Sequence, residues 1–211
     1  MKIYFIRHTE ADDDRRDSFG GIADDPLIES GEIYAKKVGK ALVNKRINII
    51  YSSPYIRAKK TAELINESLN IKIVEIYNLR ERNSYGVLSG IEKVKAKELF
   101  PSIMLRIDQM KRKGLKPSNS IETLPGAEIY LDLLLRVKDA IEQILRECDN
   151  LKFNNIVIVT HGGIASAFFN DLLNIPIELE KGEIIVLEGD SLNELKINEK
   201  ETKDIKKELV S

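Results

Sequence analysis

The sequence predicts an α/β fold: a three-layer α/β/α sandwich around a mainly parallel sheet, with a small helical cap. Two observations lead there. Short apolar runs rich in β-branched residues alternate along the chain with amphipathic stretches of helical length. Some of these runs, such as residues 156–159, are apolar at every position, which marks strands buried on both faces.

Residues 2–6 are the first such strand, and residues 12–25, charged and glycine-containing, read as a surface loop. Residues 29–45 have helical spacing, with Ile33, Val38, Ala41 and Leu42 on one side. A second strand covers 47–51, and Pro54 suits the first turn of a helix reaching Ser68. Residues 71–76 are a third strand. Between Gly90 and Lys113 the helical pattern breaks at Pro101, which predicts two helices packed as a cap, followed by a loop at 116–125. A long amphipathic helix spans 127–149, its buried stripe drawn through Leu131, Leu134, Leu135, Val137, Ile141 and Ile144. A strand at 155–160 and a helix from Ile164 follow, and 184–187 pairs with 192–197 as closing strands. Residues 1–198 thus form one domain with its cap at about 82–125, and 199–211 form a charged C-terminal tail, a solvated helix or frayed end.

At 211 residues the chain is long enough to bury a full core. A formal charge of −1 argues against a nucleic-acid partner, which selects a clearly basic surface, and against docking on an anionic membrane. The single cysteine, Cys148, excludes an internal disulfide and a cysteine-only metal site. It falls late in an amphipathic pattern and reads as a packing residue. With no secretory or transmembrane segment apparent, a cytoplasmic location is expected.

In doubly wound folds, ligands sit at the carboxyl ends of strands. That rule points to Arg7-His8, Ser52-Ser53 and His161-Gly162, each directly after a predicted strand. The chain has two histidines, and both occupy such positions. A single histidine is more often structural; two at converging strand ends favour chemistry. Separated by a whole domain, they lack the short spacing of common zinc motifs, so no metal is expected.

The segments around these residues resemble those of the histidine phosphatase, or phosphoglycerate-mutase-like, superfamily. Arg7-His8-Thr9-Glu10 is similar to its Arg-His-Gly-Glu signature. Asp25-Pro26-Leu27 with Gly31 is similar to D-x-P-L-T-x-x-G. Ser52-Ser53-Pro54-Tyr55-Ile56-Arg57-Ala58 with Thr61-Ala62 follows S-S-P-x-x-R-A-x-x-T-A. Leu79-Arg80-Glu81 with Tyr85-Gly86 and Gly90 resembles L-x-E…G…G, and Val159-Thr160-His161-Gly162-Gly163 matches V-T-H-G-G. The five segments occur in the family's order across roughly residues 1–190.

The resemblance implies a role for each residue. His8 is the nucleophile that forms a phosphohistidine, which divides one displacement into two. Arg7, Arg57 and His161, with Gly162, hold the non-bridging phosphate oxygens, for which arginine's planar fork is suited. A helix start near Pro54 adds its positive end. Glu81 is the acid that protonates the leaving oxygen and later helps deprotonate water; its bland alternative is a salt bridge within Arg80-Glu81-Arg82. Glu10 reads as a hydrogen-bonded loop carboxylate.

The chain also departs from the pattern. Thr9 stands where glycine is usual, so the loop after His8 is expected to change shape. Ala11 replaces Ser or Thr. Asp14 stands where Asn often contacts phosphate, and is expected to point away or pair with Arg15 or Arg16. Gly126-Ala127-Glu128 resembles a Gly-Glu-Ser segment one residue out of register, with a glutamate contact to His8 or its neighbourhood as the open question.

The resemblance therefore implies a metal-independent phosphomonoester hydrolase acting on small phosphorylated metabolites without a cofactor. The runner-up is a 2,3-bisphosphoglycerate-dependent phosphoglycerate mutase, suggested by Glu81-Arg82 with Tyr85-Gly86-Val87-Leu88-Ser89-Gly90. Asn83-Ser84 interrupts that match by one residue, and the stretch from Gly90 to Gly126 is short for the mutases' insertion. A protein phosphatase and an inactive phospholigand-binding module are weaker alternatives. The cap lysines and arginines (Lys93, Lys95, Lys97, Arg106, Lys111, Arg112 and Lys113) suit anionic substrates, although most read as a solvated helical face. A homodimer is left open, since no edge or face in the sequence selects one.

Overall fold

The computed structural model describes residues 1–12, 17–115 and 123–210. Asp14, Arg15, Arg16 and most of the loop expected after the cap lie outside the described residues. The elements run β1 (Lys2–Arg7), α1 (Glu29–Leu42), β2 (Ile49–Ser52), α2 (Ile56–Leu69), β3 (Ile73–Glu75), α3 (Lys93–Leu99) and α4 (Pro101–Arg112). They continue with α5 (Tyr130–Leu151), β4 (Asn155–Thr160), α6 (Gly162–Ser166), β5 (Ile184–Glu188), β6 (Lys196–Ile197) and α7 (Glu199–Val210).

The sheet order is β3-β2-β4-β1-β5-β6. β1 and β2 each pair in parallel with β4, and β3 in parallel with β2; β5 and β6 add antiparallel at the other edge. The α/β fold with a mainly parallel sheet is therefore as the sequence reading has it. Because β4 lies between β1 and β2, three carboxyl ends stand side by side, with Arg7 in register with Thr160 and Ser52 with Val159. The next residues extend the ladder: His8 N–H donates to the Thr160 carbonyl at 2.8 Å, and Ser53 N–H to that of Val159 at 3.0 Å.

Side-chain alternation along the strands divides the core. Ile3, Phe5, Ile49, Tyr51, Ile156 and Ile158 face α5 and α6. Tyr4, Ile6, Ile50, Val157 and Val159 face α1, α2 and α7. Each such fully buried side chain contributes roughly 1.5–3 kcal/mol, so the platform under the strand ends is stiff.

Three expectations about packing change. On α5 the buried stripe is Leu133, Val137, Ala140, Ile141, Ile144, Leu145 and Cys148, whereas Leu131 and Leu135 are exposed. Leucines at 131, 133, 134 and 135 permit two stripes about one residue apart, and only contact with the sheet selects between them. On α1, Ile33 is exposed; Ala35, Val38 and Leu42 are buried, and Gly39 brings the helix onto α2, where a Cβ would stand 2.5 Å from the Ile65 carbonyl oxygen. Residues 199–210, expected as part of a solvated tail, form α7 and bury Thr202, Ile205 and Leu209 against the α1 layer. Spacings of three and four put these on one face, and Glu201 accepts a hydrogen bond from Tyr4 Oη at 2.6 Å.

The cap consists of α3 and α4, with its own small core of Phe19, Leu88, Ala96, Met104, Ile107, Met110 and Leu124. Phe19 N–H donates to the Ile91 carbonyl at 3.0 Å, and Gly90 N–H to that of Phe19 at 2.6 Å, so the segment around Phe19 is stitched to the cap. No helix among the described residues is long and apolar enough to cross a membrane.

Candidate active site

His8 follows β1 and is buried. Its Nδ1 lies 2.8 Å from the Thr9 carbonyl oxygen. A carbonyl only accepts, so Nδ1 carries the ring hydrogen. Its Nε2 faces the Nε–H of Arg57 at 3.3 Å, a donor, so Nε2 holds a lone pair. Burial, then the Arg57, Arg7 and Lys181 charges, push the His8 pKa well below its usual value, with the Thr9 carbonyl opposing. The imidazole is therefore neutral at neutral pH and its tautomer is set.

Arg57 sits in the first turn of α2, buried rather than solvated. Its Nη1 donates to the Ala23 carbonyl and its Nη2 to that of Gly21 at 3.0 Å. Arg7 Nη1 donates to the Leu179 carbonyl at 2.7 Å, and its buried Nε has no hydrogen-bond partner among the described residues. Within that same set neither guanidinium pairs with a carboxylate, and two positive charges, Arg57 buried and Arg7 partly buried, facing one space favour an anion between them.

His161 lies beneath the cavity wall, its ring 5.1 Å from that of His8. Its Nε2 is 2.7 Å from Ser53 Oγ, and Nδ1 is buried with no partner among the described residues. Burial, then the charges of Arg57 and Arg7 among its neighbours, lower its pKa well below the usual value, so it too is neutral.

Glu81 approaches from the loop after β3. Its Oε1 accepts from Arg82 N–H at 2.8 Å and its Oε2 from Gly163 N–H at 3.1 Å. Neither half of the Gly162-Gly163 pair has room for a side chain. A Cβ on Gly163 would lie 2.4 Å from Glu81 Oε1, and one on Gly162 would lie 3.0 Å from Arg7 Cζ.

Arg7, His8, Arg57, Glu81 and Gly162 thus share one cavity of about 400 Å³, roofed by Phe19, Tyr85 and Lys93 of the cap side. The arrangement offers a neutral nitrogen nucleophile, an anion clamp and a proton carrier in one place.

The threonine at position 9 is accommodated. Thr9 has no left-handed backbone, so glycine is not required there; its N–H donates to Thr61 Oγ1 at 3.2 Å, and Thr61 Oγ1 donates to the Arg57 carbonyl at 2.7 Å. Glu10 accepts from Ser30 Oγ at 2.6 Å. Glu128 does not reach His8: its carboxylate is taken up by Arg136, with Nε at 2.6 Å and Nη2 at 2.9 Å.

Several wall residues escaped the sequence reading, among them Arg82, Ser166, Asn170 and Lys181. Arg82 is fully buried, its guanidinium 4.8 Å from the Tyr130 ring centre. Its adjacency to Glu81 was the available signal. Ser166 and Asn170 carried none, because a π-helical segment, Ala167–Leu172, continues α6 and shifts the helical register there.

The sequence model of the histidine phosphatase superfamily (branch 1) matches residues 3–206. The chain is 26% identical over 183 residues to a Bacillus subtilis protein named uncharacterized phosphatase PhoE, covering 87% of this chain and 83% of that one. It is 26% identical over 195 residues to the 2,3-bisphosphoglycerate-dependent phosphoglycerate mutase of Corynebacterium efficiens, covering 82% and 77%. The solved structure of Bacillus stearothermophilus YhfR superposes with a TM-score of 0.76 over 93% of this chain and 95% of that one, a likeness of fold at 22% identity.

Proposed function

Since the chain belongs to the histidine phosphatase superfamily, we propose that it is a metal-independent phosphomonoester hydrolase that carries the phosphoryl group on His8. The observation that carries this reading is the His8 ring: Nδ1–H is committed to the Thr9 carbonyl, and the Nε2 lone pair stands beside Arg57 on the cavity wall.

In the first step the Nε2 lone pair attacks phosphorus. A P–N bond forms, the ester P–O bond breaks, and Glu81 in its acid form gives its proton to the departing oxygen. In the second step water attacks the same phosphorus, Glu81 takes the water's proton, and the P–N bond breaks to release phosphate and neutral His8. Arg57 Nε–H, freed from Nε2 as phosphorus arrives, turns to a phosphate oxygen, and Arg7 Nε and His161 Nδ1, which have no partner among the described residues, serve others. Positioning and charge stabilisation carry most of such a transfer.

The size of the cavity favours small phosphorylated metabolites over protein substrates. A mutase must keep water from the phosphohistidine while a second hydroxyl accepts the group. The described cap helices here have only 7 and 12 residues, which favours hydrolysis. The test is phosphate release from p-nitrophenyl phosphate and a panel of sugar phosphates in EDTA, beside 3-phosphoglycerate mutase assays with and without 2,3-bisphosphoglycerate. Release in EDTA, lost in His8→Ala, supports the hydrolase; mutase turnover exceeding hydrolysis replaces it with the runner-up. Activity that returns only with added divalent metal sinks the phosphohistidine scheme.

A further inference from the structure

The loop that carries Glu81 is gripped from the face opposite the cavity. Arg136, on the buried side of α5, donates Nη1 to the carbonyls of Asn78 at 2.7 Å and Arg80 at 2.9 Å. Its Nε and Nη2 take both oxygens of Glu128. Arg80 adds a longer contact, Nη2 to Glu128 Oε1 at 3.8 Å. Arg82 then ties the loop's far side to the same residue, donating Nε at 3.2 Å and Nη2 at 3.0 Å to the Glu128 carbonyl. Residues 78 and 80 are thus fixed to one ion pair and Arg82 to the main chain of its glutamate, and Glu81, between 80 and 82, is turned towards the cavity, where Gly163 N–H donates to it.

We propose that Glu128 and Arg136 are positioning residues that set the Glu81 carboxyl for proton transfer, acting through the backbone of the Asn78–Arg82 loop. The inference rests on the reading of Glu81 as the acid. Neither residue touches the cavity wall that holds His8. The Arg136 and Glu128 side chains are 9% and 16% exposed, so the pair is shielded from solvent and its geometry is held. Four donor contacts from a single guanidinium fix both the height and the tilt of the loop, and an ammonium at the same place cannot reproduce that fork.

The experiment compares kcat/KM, which reports the steps up to phosphoryl transfer, for two substrates. One is p-nitrophenyl phosphate, whose phenolate departs without help; the other is an alkyl phosphomonoester such as β-glycerophosphate, whose alkoxide needs a proton. Arg136→Lys and Glu128→Gln are each expected to lower kcat/KM for the alkyl substrate roughly 10- to 100-fold, as for a group displaced by about 1 Å. Within about 3-fold, the same variants keep the value for p-nitrophenyl phosphate, and KM moves little. Glu128→Gln preserves side-chain shape and the main-chain contact to Arg82, and serves where Arg136→Lys is unstable. Equal losses on both substrates, or no loss on either, overturn the proposal. Glu81→Gln is run alongside: if it shows no such leaving-group dependence, the reading of Glu81 fails; if it does and the other two do not, only the positioning role fails.

Discussion

Arg57 and His8 meet nitrogen to nitrogen, the Arg57 Nε–H pointing at His8 Nε2 across 3.3 Å. A permanent cation beside an imidazole opposes protonation of that ring and leaves its lone pair where a phosphorus atom would arrive. The strand β1 places His8 and the helix α2 places Arg57, so the pairing depends on the adjacency of β1, β4 and β2.

The first prediction concerns protonation. The chain has two histidines, so their ring nitrogens can be followed without crowding. Nitrogen NMR at pH 6 is expected to show two neutral rings, His8 as the Nδ1–H tautomer, because burial and the flanking arginines depress both pKa values. Two ring nitrogens with imidazolium shifts at pH 6 would contradict the assignment. In Arg57→Met the His8 pKa should rise towards its ordinary value, since the largest opposing charge is gone.

A second prediction follows for stability. The unfolded chain binds protons on both imidazoles below their ordinary value of 6.5, while the folded chain does not. Stability from this source is complete above that value, falls as pH drops below it, and stops falling once the depressed folded values are passed. Each histidine should cost about 1 kcal/mol between pH 7 and pH 5.5. Urea midpoints at the two pH values measure it: His161→Asn should lose less stability on acidification than the wild type, whatever its absolute midpoint. An identical acid dependence in both would refute the linkage.

The strand ends were legible because the strands read from the sequence stop directly before Arg7-His8, Ser52-Ser53 and His161, and a parallel sheet needs little more than that to bring them together. The helices' inward faces were less so. Leucines crowd both sides of the α5 stripe, and the charged residues of α7 hide an inward face of Thr202, Ile205 and Leu209 that acquires meaning only when β5 and α1 supply a surface. Arg136 was the hardest to read, since an arginine between Leu133 and Val137 on a buried stripe makes sense only once Glu128 and two loop carbonyls stand opposite it. Sequence periodicity describes one element at a time, and this contact joins three.

The last prediction separates the two ends of the site through adjacent glycines. Neither Gly162 nor Gly163 has a left-handed backbone, so alanine is compatible with the chain at both, and each belongs to α6, where alanine is the better helix former. The difference lies in what the new methyl meets. In Gly163→Ala it meets Glu81 Oε1 at 2.4 Å, so the carboxyl must move. In Gly162→Ala it stands 3.0 Å from Arg7 Cζ and 3.2 Å from its Nε, so the guanidinium must move. Gly163→Ala should lower kcat/KM for alkyl phosphates by roughly 10-fold or more while inhibition by inorganic phosphate is unchanged, because proton delivery suffers and the anion clamp does not. Gly162→Ala should weaken phosphate inhibition and raise KM for every substrate alike, with no change in leaving-group dependence. Both substitutions falling on the same kinetic parameter would mean that Arg7 and Glu81 do not divide the work as their contacts with this glycine pair imply.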